Sequence, residues 1–165
     1  MDIVLSDQQI ANLIHTPKKI VQQPYRDDKQ ERQFFRNEMR LHSTDGKYGF
    51  KAYFRRHAVF IENFSIGLIY DPGDIKGTIT LLRCNGQHGS TRYEHHNEFH
   101  IHRPTEKDLL ENRSSESDIM ITNDYTSFEQ AVIFFATTCG IIDNCEYINK
   151  FRQLSIAPLC TPKNR

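Results

Sequence analysis

Apolar positions along the chain follow two periods, and these divide it into elements. Ile10, Leu13 and Ile14 recur at helical spacing behind Ser6-Asp7-Gln8-Gln9. That tetrapeptide is a capping box, in which Ser6 serves the backbone amide of Gln9 and the Gln9 side chain reaches back. Thr16-Pro17 closes the helix, because the residue before a proline is pushed out of the helical region. Lys18 to Val21 reads as a short strand, and the polar stretch 22–30, with its proline, as a loop.

Residues 31–57 alternate with a period of two on either side of Asp45-Gly46, a signal for a two-residue type I′ hairpin turn. Such a turn pairs Thr44 with Lys47, Leu41 with Phe50, Met39 with Ala52 and Asn37 with Phe54. The intervening pairs are Arg40 with Lys51, Glu38 with Tyr53 and Arg36 with Arg55. Turn chemistry and alternation thus agree on one register, with a core face and a basic face that carries a tyrosine. Like charges set opposite each other destabilise a sheet unless something anionic lies between them.

Ala58 to Tyr70 is apolar in both phases, with Phe60, Phe64, Ile66 and Leu68 on one side and Val59, Ile61 and Ile69 on the other. This predicts a central strand covered on both faces. Asp71-Pro72-Gly73-Asp74 is a turn, Thr78 to Asn85 a strand, and Gly86 to Asn97 a polar loop. Glu98 to Arg103 returns as a strand that Pro104 stops. The acidic, serine-containing stretch within 106–120 predicts a mobile loop. Thr126 or Ser127 caps a helix that buries Ala131, Val132, Phe135 and Ala136, with Gly140 just past its end. A second helix is expected near 143–151, and a frayed tail after Ala157. The expected architecture is α+β in a single domain, 1–165. A short N-terminal helix precedes an antiparallel meander of about five strands, and a C-terminal helix or helix pair packs on one face.

A chain of 165 residues buries enough surface to fold without a metal or a disulfide. Its four cysteines, Cys84, Cys139, Cys145 and Cys160, form no CxxC pair. With no basic, apolar leader at the N-terminus and no apolar run of membrane-spanning length, reduced thiols and a cytoplasmic setting are expected. Net charge is zero but uneven: 16–57 holds eleven Lys and Arg against five acids, and 105–147 nine acids against two bases. The first region suits a phosphate backbone and the second repels one.

The candidate chemistry lies in Gly86 to Arg103, which holds five of the eight histidines, at 88, 95, 96, 100 and 102. On a strand, His100 and His102 point away from Phe99 and Ile101. Their unperturbed pKa values suit a general base and a general acid acting on a phosphodiester. Arg83 and Arg103 are placed to hold phosphate, with Tyr93 as a proton donor or stacking platform. Arg36, Arg40, Lys51, Tyr53, Arg55 and Arg92 are placed to follow a nucleic-acid backbone. No metal or other cofactor is expected; were a metal present, His95, His96, His100 and His102 would be its ligands. His100-x-His102-x-x-x-Glu106 matches the centre of a cupin motif, but Glu94 and Arg113 stand where that motif has glycines. His15 and His57 read as structural, and Cys84 as core.

Leu82-Arg83-Cys84-Asn85-Gly86-x-His88-Gly89, followed by Phe99-His100-Ile101-His102-Arg103-Pro104-Thr105-Glu106, resembles a family of small bacterial and phage proteins with an R-x-N-G-x-H-G turn and an F-H-I-H-R strand. It is more distantly similar to the TumE-type toxins of toxin–antitoxin pairs. The resemblance implies a mobile-element or defence setting with RNA as the target and a cognate antitoxin as partner. The leading expectation is a toxin-like, RNA-directed protein, a metal-independent ribonuclease using the histidine pair. The alternatives are a phage or mobile-element inhibitor that binds a host protein without catalysis, and a small metal-binding protein built on the same histidines.

Overall fold

Eight strands and four α-helices succeed one another in the computed structural model, which describes residues 3–73, 77–89, 94–111 and 117–156. They are α1 (Asp7–His15), β1 (Lys18–Gln22), β2 (Lys29–Glu31), β3 (Phe34–Ser43), β4 (Gly49–His57), β5 (Phe64–Asp71), β6 (Ile79–Asn85), β7 (His100–Arg103), α2 (Glu106–Leu110), β8 (Asp118–Ile121), α3 (Phe128–Thr138) and α4 (Glu146–Ile156). A 3-10 turn, Glu94–Asn97, precedes β7. The strands form one antiparallel sheet in the order β1-β3-β4-β5-β6-β7-β8, with β2 pairing the far end of β3. The α+β architecture is as expected, but the strand count exceeds five. The three-residue β2 is wholly polar and the four-residue β8 is a short apolar run, Ile119 to Ile121, so neither shows the alternation that announces a strand. α2 and β8 likewise occupy parts of the acidic stretch expected to be all loop. The tail beyond 156 lies outside the described residues.

The β3–β4 register is the one the sequence implies: Leu41 faces Phe50, Met39 faces Ala52, Asn37 faces Phe54, and Arg36 faces Arg55. The turn differs. A type I′ turn needs positive φ at both central residues, yet Gly46 is positive (φ 76°) and Asp45 is not. Instead, Gly46 N donates to Ser43 O, and Asp45 Oδ1 accepts from Ser43 Oγ and Lys47 N. The side chain of Asp45 builds the turn, and the longer loop leaves the register unchanged.

The expected central strand from Ala58 to Tyr70 begins only at Phe64. Val59, Phe60 and Ile61 are instead an exposed apolar tip between β4 and β5. His57 sets this turn: its Nδ1 accepts from Val59 N and Phe60 N, and its backbone N–H donates to Asn63 O. Along β5, Phe64, Ile66 and Leu68 enter the core, while Gly67 and Ile69 face the other way, so among the described residues only one face is covered by helices.

The core lies between that face of the sheet and α1, α3 and α4, which supply Ile10, Leu13, Ile14, Val132, Phe135, Tyr147 and Phe151. Ser6 and Gln9 make the capping box of α1. Beyond α3, Gly140 takes φ 62° and donates to Thr137 O, while Ile141 donates to Ala136 O, a Schellman closure. Cys84, Cys139 and Cys145 are buried free thiols, and burial raises Cys84 and Cys139 well above the usual thiol range. Cys160 lies outside the described residues.

Lys18 ties the two ends of the helical layer together. Its fully buried Nζ donates to Leu13 O, Ile14 O and Thr16 O at 2.8 Å and to Cys139 O at 3.0 Å. Burial lowers this ammonium to about 8, so it is charged at neutral pH and caps the α1 carbonyls. Replacing it with an apolar side chain leaves those carbonyls without a donor. Lys18→Met should lower unfolding stability by about 3 kcal/mol in urea denaturation, with the far-ultraviolet spectrum retained. A loss under about 0.5 kcal/mol would rule out the capping role.

Candidate functional site

Cross-strand pairing carries the site across the face that the helices leave open. One row runs Arg36, Arg55, Ser65, Asn85, His100 through β3 to β7, and the next runs Glu38, Tyr53, Gly67, Arg83, His102. Facing residues in antiparallel strands share a side of the sheet, so the histidines of β7 and the arginines of β3, β4 and β6 share one surface. Arg40 and Lys51 lie one row further from the histidines. Arg103 does not join them. It shares the phase of Ile101 on β7 and sits on the helical side, near Cys84 and Cys139. Arg92 and Tyr93 lie outside the described residues.

Two concavities occupy this surface. A groove of about 610 Å³ is lined by Tyr25, Lys29, Arg36, Lys51, Tyr53, Arg55 and Arg83, among others. A pocket of about 360 Å³ is lined by Arg55, Ser65, Arg83, Asn85, His88, His96 and His102, with Phe34 and Phe64 at its apolar side. Arg55, Ser65 and Arg83 border both, so the groove leads into the pocket. Gly67 makes room for the ring of Tyr53: a Cβ there would sit 2.3 Å from Tyr53 Cε1. Tyr53 Oη lies 3.2 Å from Ser65 Oγ.

The cations in the groove are unequally compensated. Arg36 pairs with Glu31 at 3.3 Å and Lys51 with Glu38 at 2.6 Å. Arg55 lies over the Phe34 ring, and its buried Nε meets no hydrogen-bond acceptor among the described residues. Desolvation lowers the Arg55 pKa; Tyr53 opposes the shift, while Arg36 and Arg83 reinforce it. A guanidinium crowded by cations and short of an acceptor favours an anion in the adjoining space.

All five histidines of the singled-out stretch converge at the pocket end. Ring centroids are 4.8 Å apart for His100–His102, 4.2 Å for His88–His96, 5.3 Å for His88–His100 and 5.4 Å for His95–His100. Glycines make this possible. At Gly86 a Cβ would fall 1.9 Å from Glu62 O, so only glycine lets the chain leave β6 beneath the β4–β5 loop. Gly89 takes φ 63°, and the amides of His88 and Gly89 both donate to His96 O. The loop thereby folds back and sets His88 and His96 over β7.

His100 is fully buried and oriented from both sides. Its Nδ1 lies 2.7 Å from Glu98 O and its Nε2 3.4 Å from Asn85 Nδ2. The carbonyl fixes the tautomer with hydrogen on Nδ1 and leaves the Nε2 lone pair toward the Asn85 amide, a weak contact that an ion could displace. His102 is buried as well, so the pair expected to act as acid and base lies beneath His96 and the exposed His88. A 4.8 Å separation also leaves no room for a phosphate between the two rings. Partial desolvation of a ring that still reaches solvent, then His96, His100, Arg55 and His95, lowers His88 to about 4. Burial lowers His100 against the opposing hydrogen bond to Glu98. The ligand atoms of His88, His96 and His100 lie within 4.8 Å of one another. This set differs from the expected His95, His96, His100 and His102.

No family model matches the chain, and neither the curated proteins nor the solved structures give a match. The likeness to the turn-and-strand family and to the TumE-type toxins therefore rests on the quoted residues alone. No helix among the described residues is long and apolar enough to cross a membrane.

Tyr125 is a positioning residue that the sequence did not mark. Its buried hydroxyl donates to His100 O at 2.8 Å and Asn85 O at 3.2 Å, from the helical side of the sheet. It joins two facing residues where β6 and β7 part. Tyr125→Phe should cost about 1 kcal/mol of stability and shift the imidazole resonances of His88, His96 and His100 in NMR spectra. Unchanged imidazole resonances would show that the hydroxyl does not position the cluster.

Proposed function

We propose that the protein binds a single-stranded RNA along the groove and cleaves a phosphodiester at its histidine end. The observation that carries this reading is the cross-strand row that leads Arg36 and Arg55, with Arg83 beside them, into the pocket of His88 and His96. Guanidinium groups match phosphate oxygens, and Tyr53 and Tyr25 offer ring faces on which unpaired bases stack. A single strand suits a one-sided groove of this kind, whose floor is a sheet face. The likeness to TumE-type toxins supports RNA over DNA. His88 and His96, nearer to solvent than His100 and His102, are the imidazoles that face the scissile phosphate, and the buried pair supports them.

Fluorescence anisotropy with a labelled single-stranded RNA tests the groove. Arg55→Ala and Arg83→Ala should each weaken binding about tenfold and reduce the slope of log Kd against log salt by about 0.7. Arg152→Ala, at an exposed position of α4, should change neither. Binding unaffected by the double arginine variant would remove the reading. With end-labelled RNA, His88→Ala and His96→Ala should abolish cleavage while retaining binding.

One observation favours the protein-binding alternative: Val59, Phe60 and Ile61 stand 65–74% exposed at one loop tip, an apolar patch of the kind that meets partners. On that reading, a one-to-one complex with a host protein would survive loss of His88 and His96 but not Phe60→Ser.

A further inference from the structure

We infer that His88, His96 and His100 form a three-histidine site for a single zinc-class divalent cation, with its open coordination position toward the arginine-lined pocket. This deepens the cleavage reading above by naming a cofactor, and it departs from the expectation of a metal-independent pair. Three independent features of the chain support it.

The first is convergence. The candidate ligand atoms of His88, His96 and His100 lie within 4.8 Å of one another. Nitrogens at tetrahedral positions about 2.05 Å from an ion are about 3.3 Å apart, so no gap need close by more than about 1.5 Å. His100 is the fixed member, while exposed His88 and half-buried His96 have room to adjust. The second is orientation. Metal-bound imidazoles characteristically donate their other N–H to a carbonyl or carboxylate. His100 already does so, with Nδ1 2.7 Å from Glu98 O. The third is the backbone. His88 N and Gly89 N donate to His96 O at 2.9 and 3.1 Å, which ties the backbones of two of the three ligands together before any ion arrives and leaves their rings able to adjust.

The donor set selects the ion. Three imidazoles with no carboxylate in the group suit a borderline cation such as Zn²⁺ or Co²⁺ over Mg²⁺ or Ca²⁺. Three protein ligands also leave a coordination position for water or a phosphate oxygen, as in catalytic rather than structural zinc sites. His88 and His96 line the pocket together with Arg55 and Arg83, so that position faces cations suited to the remaining oxygens of a phosphodiester. A bound ion there would polarise a phosphoryl oxygen and acidify a bound water. His95 and His102 pack against the group, at 4.3 Å from His96 and 4.8 Å from His100 between ring centroids.

The test is titration of tag-free, EDTA-treated protein with Co²⁺, read by visible absorption, and with Zn²⁺, read by calorimetry. One equivalent of tetrahedral or five-coordinate Co²⁺ without sulfur charge-transfer bands is expected, displaced by Zn²⁺. His88→Ala and His96→Ala, both nearer to solvent and compatible with folding, should each weaken binding about 100-fold or more. His42→Ala should leave binding unchanged. No uptake by the wild-type protein at about 0.1 mM metal, or uptake that survives in both cluster variants, would overturn the site. Anisotropy with labelled RNA in EDTA reports on the groove separately. RNA binding without metal uptake sinks this inference alone, whereas metal uptake without RNA binding sinks the reading above and leaves the centre standing.

Discussion

Side-chain alternation across five consecutive antiparallel strands is the constraint on which the rest of the molecule depends. It sends Met39, Leu41, Phe50, Ala52, Phe54, Ile66, Leu68, Leu82, Cys84 and Ile101 under the helices. It therefore sends Arg36, Arg55, Arg83, His100 and His102 to the other side. The energies decide which requirement dominates. Burying a Leu, Met or Phe contributes about 1.5–3 kcal/mol, whereas facing two like charges costs about 0.2–1 kcal/mol. The core pairs Met39–Ala52 and Leu41–Phe50 fix the register, and the apposition of Arg36 with Arg55 follows from it. The cationic surface is thus held in place by the hydrophobic face behind it.

The histidine end shows the same division of labour at finer scale. β7 supplies the rigid floor, His100 and His102, and the loop from Gly86 supplies the ceiling, His88 and His96. Two glycines permit the fold-back, one by close approach to Glu62 O and one by positive φ. Tyr125 secures the seam from behind by bonding the carbonyls of Asn85 and His100. Asn85-Gly86-x-His88-Gly89 therefore reads, residue by residue, as a contact to His100, a passage, a pocket residue and a reversal.

Much of this was legible in the sequence where local chemistry and long-range packing agree. The β3–β4 register, the Ser6 cap, the end of α3 at Gly140 and the core position of Cys84 all follow from patterns confined to a few residues. Failures fell where they disagree. Val59, Phe60 and Ile61 continue an apolar run, and nothing nearby shows that the imidazole of His57 will take up two of their amides and turn the chain. β2 exists because the end of the longer β3 offers it a partner, and β8 because β7 leaves its outer edge open. Arg103 was legible and misread, since the alternation that separates His102 from Ile101 also places Arg103 with Ile101. The convergence of His88 with His96 and His100 depends on the path of a loop, which periodicity does not encode.

Lys18 carries a consequence for how the chain comes together in time. Its ammonium reaches Cys139 O, its amide reaches Gly140 O, and Ile20 N reaches Asp143 Oδ2. The outer edge of β1 is therefore completed by residues some 120 positions later in the chain. Loop-closure entropy of that span must be offset before that edge can close. A chain emerging from the ribosome would pair β1 with β3 and set α1 against β6, with the far side of β1 left open until α3 had formed. The meander from β3 to β7 would already be paired by then, with its groove assembled ahead of the clasp that closes the domain.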